Sequence, residues 1–284
     1  MNHMHTTENH AWRRPWNDPM HLVRILGTVV LLVLLGSAFA EEAPLPGAAR
    51  GLEIAMEADR RDTGWGDSQV TLTMTLRNQH GDESVRTLRS RALEVEGDGD
   101  RSMTIFDEPA DVSGTALLTF SHATEPDDQW LFLPALGRVK RIASNNKSGP
   151  FMGSEFAFED MASQEVDKYT YNFLREEACG DAQCFVVERF PVDERSGYTR
   201  QIAWIDTEHY RAMRVEFYDR RNTLLKTLTT GDWEQYLGRF WRAGRLEMVN
   251  HQTGKNTLLL FEDFVFGNGY GDRDFDQNAL RNAR

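Results

Sequence analysis

Several side chains in this chain could perform covalent chemistry, but their spacing departs from known catalytic patterns. Ser144 and Lys147 have the S-x-x-K spacing of serine acyl-enzymes, in which the motif opens a helix. Here the motif lies in a predicted loop and overlaps the downstream Lys-Ser-Gly sequence that normally stands far away on a strand. We therefore interpret this segment as a loop without catalytic function.

The acidic pairs and the histidines likewise lack the spacing that metal binding or acid–base catalysis requires. Asp98-Gly99-Asp100 and the acidic run 272–276 resemble parts of calcium loops, but both lack the complete glycine and glutamate pattern of an EF-hand. Glu176 and Glu177 are adjacent, so on a strand they point to opposite faces and cannot share a proton. No pair has metal-ligand spacing among the histidines His80, His122, His209 and His251. The sequence predicts no catalytic residue, no cofactor and no resident metal, and hence not an enzyme.

The segment from Asp128 to Ala162 is the most informative part of the chain, because it gathers large apolar side chains without reactive groups. Glycines interrupt the regular strand pattern over much of this segment. Large apolar side chains on such a segment either fill a core or cover a groove. Phenylalanine and methionine suit a surface that repacks around variable ligands. We predict a hydrophobic cavity and lid formed by Trp130, Phe132, Phe151, Met152, Phe156, Phe158, Met161, Trp65 and Trp204.

The elements that must position these residues are mostly strands. Val70, Leu72, Met74 and Leu76 alternate with polar residues, which is typical of a half-buried strand. Further strands are predicted at 84–96, 102–106, 116–121, 129–133, 138–142, 168–176, 185–190, 200–205, 212–218, 223–230, 245–250 and 256–266.

Helices are predicted in only three places. An amphipathic helix is expected at 51–61 with Leu52, Ala55 and Met56 at helical spacing, a short helical stretch at 155–163, and another in the tail after Phe275. Many strands with polar turns indicate a mainly β protein, an antiparallel meander closing toward a barrel. If the sheet closes incompletely, the few helical pieces are the available cover for its concave face.

Residues 1–40 have the features of a secretory signal peptide. Arg24 precedes an apolar run from Ile25 to Leu35, and Ala38-Phe39-Ala40 provides a cleavage site after Ala40. Met20 would be a more usual start. An uncleaved anchor is the alternative, although the run is shorter than the roughly 20 residues of a membrane span. We therefore predict a periplasmic protein whose residues 41–284 form one domain.

Cys179 and Cys184 are the two cysteines of the chain, and in an oxidising compartment they predict a disulfide at a hairpin tip. A metal or redox role would require C-x-x-C spacing or further ligands. The formal net charge is −12. Such an acidic protein is a poor partner for nucleic acid, whose affinity comes mainly from neutralised phosphates.

The segment 128–142 (DQWLFLPALGRVKRI), with KSGPFMGSEF at 147–156 and FED at 158–160, resembles the LolA-like outer-membrane lipoprotein-sorting proteins, in the branch often found beside RND/MMPL exporters. Supporting matches are FDEPADVSGT at 106–115 and the closing Asp274-Phe275. The resemblance covers residues 50–281. It implies an incomplete, strongly curved antiparallel barrel of the LolA/LolB type, with a few helices covering a hydrophobic cavity. It also implies an arginine near the cavity mouth, for which the candidates are Arg77, Arg86, Arg89 and Arg91.

The function implied by the resemblance is that of a periplasmic carrier. It would bind acyl chains of a lipoprotein or lipid and deliver them toward the outer membrane, with an inner-membrane exporter or an outer-membrane acceptor as partner. The alternative is a non-transporting periplasmic sensor or adaptor that binds an acylated partner. That role predicts an additional partner-binding domain, which the sequence does not indicate.

Overall fold

Thirteen antiparallel strands form one sheet within residues 45–283, the part of the chain that this computed structural model describes. The predicted signal peptide lies outside the described residues. The strands are β1 (Asp67–Arg77), β2 (Glu83–Leu93), β3 (Arg101–Glu108), β4 (Ala116–Phe120), β5 (Asp128–Leu133), β6 (Arg138–Arg141), β7 (Tyr169–Cys179), β8 (Ala182–Pro191), β9 (Tyr198–Asp206), β10 (Ala212–Asp219), β11 (Leu224–Tyr236), β12 (Phe240–Asn250) and β13 (Asn256–Phe266).

The strand order is β6-β5-β4-β3-β2-β1-β13-β12-β11-β10-β9-β8-β7, so the first and last strands pair in the middle of the sheet. All other neighbours are consecutive in sequence. The sheet is not closed into a barrel, because β6 and β7 form its two edges. The prediction of a mainly β, incomplete antiparallel barrel is confirmed.

Period-two alternation determines which side chains reach the core. Leu72 of β1 is paired with Leu88 of β2 and with Phe261 of β13, so these three side chains share one face. That face, which we call the inner face, carries the largest core cluster, and the cluster joins residues from β1 to β5 with others from β9 to β13. Strands from both halves of the sheet can meet in one core only if the sheet is strongly curved.

The helices are α1 (Ala48–Arg61) and α2 (Gln277–Arg281). α1 confirms the predicted first helix, but its buried face differs from the expected one: Gly51 and Ile54 are buried, whereas Leu52 and Met56 are exposed. The expected helical stretch at 155–163 is confirmed only over Phe158–Met161, which forms a short 3₁₀ helix. A similar 3₁₀ turn precedes it at Phe151–Gly153, and a bridge pairs Pro150 with Ala157.

β11 and β12 extend further than the sequence pattern indicated and form a hairpin arm at residues 231–244. Trp233 pairs with Ala243, and Tyr236 pairs with Phe240 across the turn. Glycines and an aspartate interrupt the hydrophobic alternation in this region, and Asp232 has a positive φ of 53°. Those residue types favour turns, which is why the strand pattern was not recognised here.

Candidate functional site

The connection between β6 and β7 crosses the interior, because these consecutive strands lie at opposite edges of the sheet. Phe151 and Phe156 are buried in the main core, with exposures of 0% and 4%. The ring centroid of Phe151 lies 5.6 Å from that of Phe106 on β3 and 5.8 Å from that of Phe158. We call residues 150–161 the plug, since this segment fills one part of the curved sheet.

Buried polar contacts hold the plug against the sheet. Lys226 of β11 donates from Nζ to Asp160 Oδ2 at 2.6 Å and to the carbonyl oxygen of Glu155 at 2.9 Å. The Tyr198 hydroxyl donates to Asp160 Oδ1 at 2.8 Å, and the backbone N–H of Ala157 donates to Oδ2 at 2.7 Å. Burial, with the negative charge of Asp160, holds the pKa of Tyr198 well above its usual range. The plug is therefore an anchored part of the core.

The other plug residues predicted to bind ligand lie at the border of the same core. Met152, Phe158 and Met161 are partly buried and pack against it. Arg86, on β2, donates from Nη1 to the carbonyl oxygen of Met152 at 2.6 Å. The structure thus brings the five predicted plug residues together, and their contact with a ligand stays a prediction.

Three predicted residues lie on the opposite, outer face of the sheet. Trp130 and Phe132 pack in a cluster with Phe275 and the C-terminal helix. Trp204 packs beside Cys184, which is joined to Cys179 by a disulfide. The predicted disulfide is confirmed, and it closes the β7–β8 hairpin.

Three of the four candidate arginines also point away from the interior. Arg77 pairs with Glu83 and Arg89 with Asp107. Arg91 lies over the Phe275 ring at 5.7 Å. Arg86 alone of the four contacts the plug on the inner face.

A cavity of ≈ 1500 Å³ lies between α1 and the inner face of β8–β10. Its floor is apolar and is formed by Val187, Ala203, Ile205, Ala212 and Val215. Several of these residues are small, and the facing side of α1 contributes two more alanines, Ala55 and Ala58. Trp65 lines the cavity, whereas the other eight predicted binding residues lie elsewhere among the described residues.

The close approach of α1 to the edge strand sets one wall of this cavity. A Cβ atom on Gly51 would lie 2.9 Å from the backbone nitrogen of Phe173 and 3.0 Å from that of Asn172. Ile54, one turn further along the helix, is buried against Tyr171 and Phe185. Glycine is required at this contact, and it brings the alanine side of α1 over the sheet.

The rim of the cavity is charged. Its carboxylates lie on α1, on the β2–β3 connection and before β7, and they are Asp59, Asp62, Glu94, Glu96, Asp98, Asp100 and Glu165. Burial raises the pKa of Asp100 to about 7, and the nearby Glu165 carboxylate contributes. By contrast, the hydrogen bond from His122 lowers the pKa of Asp98 to about 2.

The turn between β9 and β10 and the hairpin arm bring a different group of side chains to the cavity. Arg211 lies 4.7 Å from the ring centroid of Trp241 and 5.5 Å from that of Trp233. The His209 ring lies beside that of Trp241, with the centroids 4.7 Å apart and the planes tilted by 32°. Arg211 Nε donates to Asp206 Oδ2 at 2.8 Å. All of these except Asp206 line the cavity.

Sequence reasoning did not select these cavity residues. The predicted residues are large apolar side chains, mostly from the segment 128–162, whereas the hollow is formed where side chains are small and comes from elements distant in sequence. The paired indoles Trp233 and Trp241, eight residues apart around Gly238, were the signal that a hairpin could bring them together.

A second hollow of ≈ 420 Å³ lies next to the first, near the loop that precedes β9. Residues 162–164 line both hollows, so this short segment forms the wall between them.

Within residues 45–283, no group of three or more histidine, cysteine or acidic side chains has a metal-binding arrangement. None of the helices in this described part is both long and apolar enough to span a membrane.

Comparisons with known proteins agree with this architecture. A family model described as an uncharacterized protein matches residues 98–282. A search of curated proteins finds no match. A structure from Vibrio parahaemolyticus, described as an outer membrane lipoprotein-sorting protein domain, is 54% identical with a TM-score of 0.81, and the match covers 82% of this chain and 99% of that chain.

Two further structures have the same fold. A DUF1329 family protein from Desulfovibrio piger is 28% identical, with a TM-score of 0.79 over 82% of this chain and 99% of that chain. A LolA superfamily protein from Nitrosomonas europaea is 22% identical, with a TM-score of 0.65 over 81% of this chain and 98% of that chain. These matches and the structure define one class: proteins with an open, curved antiparallel β-sheet around a cavity. The chain belongs to the family of outer-membrane lipoprotein-sorting proteins and has the fold of the LolA superfamily structure, so the resemblance found in the sequence is confirmed.

Proposed function

We propose that this protein is a periplasmic carrier that holds acyl chains of a lipid or lipoprotein in the cavity beneath α1 and delivers them toward the outer membrane. Its partner would be an inner-membrane exporter at the start of this route or an outer-membrane acceptor at its end. The observation that carries the proposal is the ≈ 1500 Å³ cavity with an apolar floor. Ligand cavities in proteins commonly measure about 300–1,000 Å³, so this one has room for a large ligand.

The physical need for a carrier follows from the hydrophobic effect. Each buried CH₂ group contributes about 0.8 kcal/mol, so a sixteen-carbon chain costs roughly 12 kcal/mol to hold in water. A carrier must offset most of that cost and still release its cargo at the acceptor. A floor of short side chains beneath a helix supports both conditions, because it offers apolar surface to the chain while the cavity stays open at its charged rim.

The proposed role requires binding and release, and no bond is made or broken. Lys226 and Asp160, a buried ion pair of the described residues, contact each other and anchor the plug. Carriage is therefore preferred over catalysis on a hydrophobic substrate.

Filling the cavity tests the proposal. Ala58→Trp places an indole in the space beneath α1, whereas Ala49→Trp adds the same group on the exposed side of the same helix. The protein, secreted by an expression host, would be mixed with a pyrene-labelled phosphatidylglycerol and, separately, with a diacylated lipopeptide. We expect Ala58→Trp to bind the preferred amphiphile at least about fivefold more weakly, since it removes contacts of several CH₂ groups, and Ala49→Trp to behave as wild type.

The two probes distinguish lipid from lipoprotein as cargo. Binding of neither probe by wild-type protein, or equal binding by both tryptophan variants, would contradict the proposed function. Circular dichroism of the variants confirms that the fold is retained.

A further inference from the structure

Arg211 presents unused hydrogen-bond donors beside the apolar floor. Its Nε donates to Asp206, and Asp206 is also held by the backbone N–H groups of His209 and Arg211, at 2.7 and 2.9 Å. The two Nη nitrogens have no acceptor within residues 45–283, and they are not enclosed by protein atoms. Because Arg211 lines the cavity, these N–H groups are available to a ligand there.

The surroundings of Arg211 fix its orientation. The guanidinium lies near the faces of Trp241 and Trp233, at 4.7 and 5.5 Å, and a cation over an indole is stabilised by the ring quadrupole. The carboxylate of Asp206 is only 2% exposed and holds the Nε edge, so the Nη edge is directed elsewhere. A guanidinium held on one edge is preorganised to bind an oxyanion on the other.

The position of Arg211 relative to the floor matches an amphiphile. Ala212 follows it directly, and Val215 lies further along β10 on the same floor. A ligand with an alkyl chain over these residues would place its head at Arg211. The cavity carboxylates lie on other elements, namely α1, the β2–β3 connection and the segment before β7. The nearest acidic neighbour on the same turn, Glu208, is exposed, and its Oε1 lies 3.6 Å from His209 Nε2.

We propose that Arg211, positioned by Asp206 and flanked by Trp233 and Trp241, binds the oxyanion head of the acyl cargo, either a carboxylate or a phosphate. This inference rests on the proposed function, because it names the chemical class of the ligand that the cavity carries. His209 adds a further ring nitrogen at the same side of the cavity. The cargo is thus an acidic amphiphile, held by its chain on the floor and by its head on Arg211.

The test compares ligands that differ only in the head group. Probes are a pyrene-labelled hexadecanoic acid, the matching hexadecanol, and hexadecyl phosphate measured by displacement of the acid. Variants are Arg211→Gln, which removes the charge, and Arg211→Lys, which keeps the charge but loses the planar fork. The matched control is Arg214→Gln: Arg214 also stacks on an indole, that of Trp204 at 3.9 Å, and also pairs with a carboxylate, but it is exposed on the outer face.

Wild-type protein should bind the acid or the phosphate about tenfold more tightly than the alcohol, as one charge-assisted contact allows. Arg211→Gln should remove most of that preference while binding the alcohol as wild type does, and Arg211→Lys should fall between. Arg214→Gln should keep the full preference. Comparing the acid with the phosphate identifies which oxyanion is the natural head.

Equal binding of acid and alcohol by wild-type protein, or equal weakening of both by Arg211→Gln, would overturn the inference and leave the carrier function intact. Failure of wild-type protein to bind any of the three probes would overturn the carrier function and, with it, the inference. Thermal unfolding of each variant checks that loss of the Asp206 partner has not unfolded the protein.

Discussion

Lys226 and Asp160 form an ion pair inside the curved sheet, with Nζ 2.6 Å from Oδ2 and side-chain exposures of only 4% and 9%. Lys226 belongs to β11 and Asp160 to the plug, so the pair joins the edge-to-edge connection to the wall of the sheet. The backbone N–H of Ala157 and the Tyr198 hydroxyl complete the carboxylate's hydrogen bonds.

Removing one partner of this ion pair should lower the free energy of unfolding. Lys226→Met leaves the Asp160 carboxylate buried without its cation, and we expect a loss of about 3–5 kcal/mol in the free energy of unfolding. Urea denaturation measures it. Arg77→Met breaks the exposed pair with Glu83 and should cost less than about 1 kcal/mol. Similar small losses in both variants would show that the buried pair does not anchor the plug.

Asp100 should make stability depend on pH near neutrality. Its pKa is raised to about 7, chiefly by burial, so the folded protein binds this proton more tightly than the unfolded chain does. The stability it contributes is complete below the ordinary aspartate pKa of about 4 and is lost as the pH rises through about 7. Asp100→Asn cannot ionise, so its stability relative to wild type should improve from pH 5 to pH 8.

Asp98 provides a control of opposite sign for that measurement. The hydrogen bond from His122 lowers its pKa to about 2, so its stabilisation is present above pH 4 and is lost only toward pH 2. Asp98→Asn should therefore be less stable than wild type at pH 5, because it loses the ionised carboxylate that contacts His122. A stability difference for Asp100→Asn that is unchanged between pH 5 and pH 8 would refute the assignment of a raised pKa to Asp100.

Gly51→Ala should displace α1. Alanine favours an isolated helix by about 1 kcal/mol over glycine, but here its Cβ would meet the backbone of β7 at 2.9 Å from Phe173 N. We expect the variant to be less stable and to bind acyl probes more weakly, because the helix that covers the cavity must move. Glu53→Ala, on the exposed side of α1, should change stability by less than about 0.5 kcal/mol. Greater stability of Gly51→Ala would show that α1 does not pack closely on β7.

The strands were largely predictable because their signal is local. The alternation at Leu72 and Met74 reports burial on one face without knowledge of any partner strand, and it held along most of the sheet. The pairing of β1 with β13 is not local, since it joins segments about as far apart as the described chain permits. Strand positions therefore followed from the sequence, whereas the order of the strands came from the structure.

The location of the hollow was not predictable from aromatic content. Phe151 is buried in the core. A phenylalanine that covers a ligand groove has the same side chain, so the sequence does not distinguish the two roles. Ala58 and Ala203, which leave the space, carry no distinctive pattern in the sequence. The buried face of α1 was misjudged for a related reason: Gly51 lies at the closest contact because it has no side chain, while Leu52 and Met56 are exposed.

The two free edges of the sheet are protected in different ways against association with other chains. β6 is four residues long and three of them are basic, Arg138, Lys140 and Arg141, so an added strand would have to bury cations beside it. At β7 the position is already taken, since the backbone N–H of Phe173 donates to the carbonyl oxygen of Gly47 at 3.0 Å. An open sheet of thirteen strands thereby avoids polymerising through its own unpaired backbone.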